Sequence, residues 1–99
     1  MMELVFNKKK LRDNLDLKKY SNCIYMLHEE IKNILITKIQ KIDNTYIYTN
    51  LTDLKNKCMQ FLDYDQNLLV LEFYDLSFNQ YDEIIELNRL LEIYGEIKK

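Results

Sequence analysis

The sequence predicts a mainly α-helical fold, a compact bundle of three or more helices around one long helix at about residues 16–42. Two observations predict it. Apolar residues recur at helical spacing through that segment, and two more amphipathic segments follow it. At 99 residues, 47% hydrophobic and 30% charged, the chain has room for a single domain, 1–99, with one core.

The long helix rests on Leu17, Tyr20, Ile24, Leu27, Ile31, Ile34/Leu35, Lys38/Ile39 and Ile42, at steps of three and four that give a period of about 3.5. Asn14 or Asp16 is expected to cap it and Asp43-Asn44 to end it. A second helix is expected after Asn50, a natural cap with Asp53 three residues on, with Leu51, Leu54, Cys58, Phe61 and Leu62 as its apolar face. A third is expected from near Ser77 or Asn79 to about Tyr94, with Ile84, Leu87, Leu91 and Tyr94 in line and Ile85 beside them. Gly95, the only glycine, stands where a left-handed helix-ending residue is often needed.

Three stretches carry strand character. Thr45–Thr49 is β-branched and aromatic between two asparagines, and Leu68–Tyr74 is a nearly continuous apolar run that periodicity cannot assign. Leu4-Val5-Phe6 is a weaker third. Together they would give an α+β alternative with a small sheet from strands near 45–49 and 68–74. The mainly helical arrangement is favoured because every unambiguous segment is helical.

No apolar run approaches the roughly 20 residues of a membrane helix. The opening residues lack the pattern of a secretory signal, and two cysteines without paired spacing fit a reducing, intracellular setting. The absence of alanine and the abundance of Lys, Asn, Ile and Tyr point to an AT-rich genome, as in low-GC bacteria, their phages, some large DNA viruses and certain protozoa.

The motifs of catalysis are missing. His28 is the only histidine, and the bland reading of it is a helix-surface or boundary side chain. Cys23 and Cys58 read as buried reduced thiols, and one glycine cannot build a phosphate loop. No enzyme activity, cofactor or metal is therefore expected.

Charge is the feature above background. Residues 1–62 balance at about +4 and residues 63–99 at about −6, beneath a net charge of −2. The acidic part is also aromatic. Asp63, Tyr64, Asp65, Asp75, Tyr81, Asp82, Glu83 and Glu86 are the candidate contact residues for another protein with a basic surface. One coherent form is a phage- or virus-encoded inhibitor of a nucleic-acid-handling protein. Pairing of two copies is a further expectation. The alternative is a nucleic-acid-binding or regulatory helical domain using Lys8, Lys9, Lys10, Arg12, Lys18 and Lys19; overall acidity disfavours it.

Overall fold

The computed structural model describes residues 8–98 and is mainly α-helical, with five helices and no strand among those residues. These are α1 (Lys8–Asp16), α2 (Tyr20–Ile42), α3 (Leu51–Phe61), α4 (Tyr64–Phe78) and α5 (Glu83–Ile97). Leu4-Val5-Phe6 lies outside the described residues.

The spine is shorter at its start than the periodicity implies. Between α1 and α2 the chain turns through Lys18, at φ 57°, the one positive φ among the described residues. Lys19 N–H donates to Asn14 C=O at 2.8 Å and Lys18 N–H to Leu15 C=O at 3.0 Å. This nested pair is the Schellman helix stop. A glycine usually takes its left-handed position, and here a lysine bears the strain of roughly 1 kcal/mol. The expected caps do not form: Asn14 and Asp16 sit inside α1, and Lys19 caps α2 without a side-chain hydrogen bond. At its other end α2 stops as expected, with Asp43 as C-cap.

Along α2 the buried residues are Cys23, Leu27, Ile31, Leu35 and Ile39, a ridge with four-residue steps. Such a ridge drifts by about 40° per step around the helix, so the far end of the predicted stripe falls outside the core and Ile42 is exposed. Leu17, also exposed, lies in the turn before α2 begins.

Thr45–Thr49 is neither helix nor strand. Tyr46 is buried, Ile47 exposed and Tyr48 half-buried, which is the alternation that made the segment resemble a strand. No other strand pairs with it. Instead it runs back along α2: Gln40 donates to Tyr46 C=O at 3.4 Å, and the Lys32 ammonium lies 5.5 Å from the Tyr48 ring centre. This return lets α3 start level with the middle of α2 and run the same way. Asn50 caps α3 as expected, accepting from Asp53 N–H at 2.8 Å.

Leu68–Tyr74 is helical, the middle of α4, which corrects the strand alternative. Its Asp63 cap accepts from Gln66 N–H at 2.8 Å, and a two-residue link from α3 leaves no length for a strand crossover. The last predicted helix starts later than expected. Ser77 belongs to α4 and Asn79 is its C-cap, while Asp82 caps α5 by accepting from Ile84 and Ile85 N–H. α5 continues to Ile97, and Gly95 lies within it without positive φ.

Helices α2, α3, α4 and α5 pack in a ring, each against the next and α5 back against α2, while α1 covers the first half of α2. Ser21 donates to Glu83, so α2 and α5 begin together and run parallel. α4 runs the other way: Tyr74, near its end, meets Thr52 at the start of α3. Within the ring, Phe73, Leu54, Leu90, Ile93 and Ile97 close over the α2 ridge in one buried cluster. None of the described helices is long and apolar enough to cross a membrane.

Candidate partner-binding surface

The acidic residues singled out by sequence fall into two places. Asp63, Tyr64 and Asp65 start α4; Asp75, Tyr81, Asp82, Glu83 and Glu86 surround the turn between α4 and α5. The 15 residues of α4 separate the two groups by roughly 20 Å.

Several of these acids already have structural work. Asp63 and Asp82 are helix caps. Asp75 accepts from Asn79 Nδ2 at 2.7 Å and from the Tyr81 hydroxyl, a hydrogen bond that holds the Tyr81 proton and raises its pKa. Glu83 accepts from Ser21. Asp65 and Tyr64 are exposed, Tyr64 by 75%. Around the α4–α5 turn the acids share the surface with Phe78, Ile84 and Ile85, which are 61%, 53% and 51% exposed. The sequence pattern assigned Ile84 to the core line of its helix. The observed core line of α5 is Leu87, Leu90, Ile93 and Ile97, which leaves Ile84 and Ile85 outside.

Tyrosines of this region also meet cations of the same chain. Arg89 lies 6.0 Å from the Tyr81 ring centre, Lys55 4.7 Å from Tyr74, and Lys98 4.4 Å from Tyr94. The rings of this surface therefore already accept cations across their faces.

Beside the turn lies a cleft of about 470 Å³ lined by His28, Leu76, Ser77, Asn79, Gln80, Tyr81 and Glu86. His28 is a boundary side chain, one of the two placements its sequence context allowed, and it has partners from two other helices. Its Nε2 lies 2.9 Å from Glu86 Oε2, its Nδ1 lies 3.4 Å from Ser77 Oγ, and its ring rests on Phe73 at 5.3 Å between centres. A serine, a histidine and a glutamate thus meet from three helices, which no local sequence signal could disclose. Their arrangement is not that of an activated nucleophile. The Ser77 hydroxyl donates to Phe73 C=O at 2.9 Å within its own helix, so its proton is directed away from the imidazole. His28 and Glu86 form a strut between α2 and α5.

The basic cluster spreads over α1 and the turn that follows. Lys8 opens α1; Lys9, Lys10, Arg12, Lys18 and Lys19 are exposed. Lys9 pairs with Asp13 at 3.3 Å, and Asp16 is interspersed among the cations, which dilutes the positive field. Cys23 and Cys58 are both buried and unpaired. Burial pushes the Cys58 thiol up to about 12, and it raises Cys23 as well. Thiolate chemistry is remote from such sites. No group of three or more His, Cys, Asp or Glu among the described residues could hold a metal ion.

No protein-family model, curated protein or solved structure matches the chain.

Proposed function

We propose that this chain is a non-catalytic protein-interaction module that presents the acidic, tyrosine-bearing surface of α4 and α5 to a basic partner. One observation carries most of the weight. Phe78, Tyr81, Ile84 and Ile85 stand exposed around a single helix turn, among Asp75, Asp82 and Glu83. Apolar side chains grouped at a surface and rimmed by one sign of charge favour association, through burial at the centre and attraction at the edge. The AT-rich composition is shared by low-GC bacteria, their phages, some large viruses and certain protozoa; one form of this module is a phage- or virus-encoded inhibitor that competes with nucleic acid for a basic protein surface.

The test must avoid residues that hold the fold. Reversing Asp63, Asp82, Glu83 or Glu86 would uncap helices or break contacts between α2 and α5, so Asp65→Lys is combined with Ile84→Ala and Ile85→Ala. Affinity capture with wild type is expected to retain a basic protein that is released by raised salt. The combined variant should lose at least tenfold in affinity for it while melting as wild type does. Undiminished capture by a folded variant would disprove the proposed surface.

A further inference from the structure

Helix α4 is apolar on two faces. Its inner face, Val70, Phe73 and Leu76, is buried at 2% exposure each. Its outer face carries Tyr64, Leu68, Leu71 and Phe78, with Leu68 and Leu71 still 48% and 45% exposed. Together with Asp75 these residues follow steps of four, three, four and three. A mean step of 3.5 is the seam of a left-handed coiled coil, in which one helix lies along another at a shallow angle. α3 and α5 flank α4, so the seam points away from the molecule.

The charges along one edge of this seam choose its occupant; the other edge carries Tyr74, with the Lys55 ammonium 4.7 Å from its ring centre. Asp65 and Glu72 lie one position beyond Tyr64 and Leu71 and line one edge; Asp75 sits within the seam. Arg89 approaches Glu72 only to 3.9 Å, and both remain more than a third exposed, so the edge stays accessible to another cation. A second copy fits poorly. Antiparallel pairing would set Leu68 against Leu71 of the other copy, but it would also bring the two Asp65–Glu72 edges together. Parallel pairing would set Asp75 against Asp75. The seam is about 20 Å long, which matches a single short helix laid along it. One helix with a cationic edge meets each requirement.

We infer that the outer face of α4 docks an amphipathic helix of the basic partner. Apolar residues at heptad spacing lie against Tyr64, Leu68, Leu71 and Phe78, and Lys or Arg residues beside them face Asp65 and Glu72. This mode rests on the proposed role of the α4–α5 surface and specifies how the partner engages it.

The probe is a synthetic helical peptide of roughly 20 residues, with Leu at the two seam positions of each heptad and Arg at the flanking ones. A control peptide has Glu at the flanks. Fluorescence anisotropy with the full chain should show binding of the Arg peptide, at least tenfold weaker binding by Leu68→Glu, several-fold weaker binding by Glu72→Gln, and no binding of the Glu peptide. Should Leu68→Glu lower the melting temperature, Leu71→Gln provides the milder variant. Absence of Arg-peptide binding, equal binding of both peptides, or insensitivity to Leu68→Glu and Leu71→Gln would each overturn the inference. So would a wild-type dimer in sedimentation that Leu71→Gln dissociates, since a second copy would then cover the face. If the seam variants leave capture of the protein partner intact while the Ile84 and Ile85 changes abolish it, the interaction surface stands and helix docking fails.

Discussion

Removing the His28 imidazole would leave the Glu86 carboxylate, 15% exposed at its side chain, without the donor it meets at 2.9 Å. The face of Phe73 beneath the ring would lose its cover as well. A half-buried carboxylate stripped of its partner costs more than the contact itself was worth, because desolvation is no longer offset. His28→Ala is expected to lower unfolding free energy by about 1–3 kcal/mol, read from urea denaturation. His28→Gln, which can still donate to Glu86, should recover part of the loss. Stability within about 0.5 kcal/mol of wild type for His28→Ala would show that the strut carries no weight. Tyr46 is a different kind of buried polar group. Its hydroxyl has no hydrogen-bond partner of good geometry, and burial, with the nearby Asp53 charge, raises it to about 12.

At the scale of the element, α5 shows how sequence can mislead about a helix end. A glycine near the end of an amphipathic pattern reads as a terminator, but Gly95 is helical, and a Cβ added there meets nothing within 4 Å. Gly95→Ala should therefore stabilise the protein by up to about 1 kcal/mol, through higher helix propensity and a less free unfolded chain. Thermal melts check this, and a decrease would mean that the site needs the freedom of glycine. Much of the helical content was legible, because Leu27, Ile31, Leu35 and Ile39 repeat clearly and Asn50 caps as its type predicts. The break at Lys18 was not legible, since the apolar pattern passes through it and the left-handed position holds a lysine. α4 was ambiguous for a physical reason: residues apolar all round carry no periodic contrast, and that property is what leaves Leu68 and Leu71 at the surface. Of the candidate surface, charge and tyrosine content could be read in advance. The exposed isoleucines and the meeting of His28, Ser77 and Glu86 depend on contacts about 50 to 60 residues apart.

For the molecule as a whole, the protons of Cys58 and Tyr46 couple stability to alkaline pH. Both hold their protons to about 12 when folded, against ordinary values of 9.0 and 10.0. Below pH 9 both are protonated in either state and the stability is intact. As pH rises from 9 towards 12 the unfolded chain releases protons that the native state retains, so unfolding becomes easier. Each group should contribute a loss of about 1.4 kcal/mol per pH unit within its window. Urea melts across this range should show the decline beginning near the thiol value, and Cys58→Ala should make its first part shallower. A flat profile up to pH 11 would contradict the burial of both groups.

The parallel course of α2 and α5 also has a consequence for how the chain reaches its native state. Ser21 and Glu83, and His28 and Glu86, are paired across about 60 residues, and α5 makes the most extensive contact with α2. Closing a loop of that length costs on the order of 4 kcal/mol in chain entropy before these contacts repay it. Assembly is therefore slower than for a bundle of successive antiparallel hairpins. During synthesis, the Cys23–Ile39 ridge cannot be fully covered until α5 has left the ribosome. Until then the nascent chain displays an open apolar surface, the kind of segment that chaperones hold.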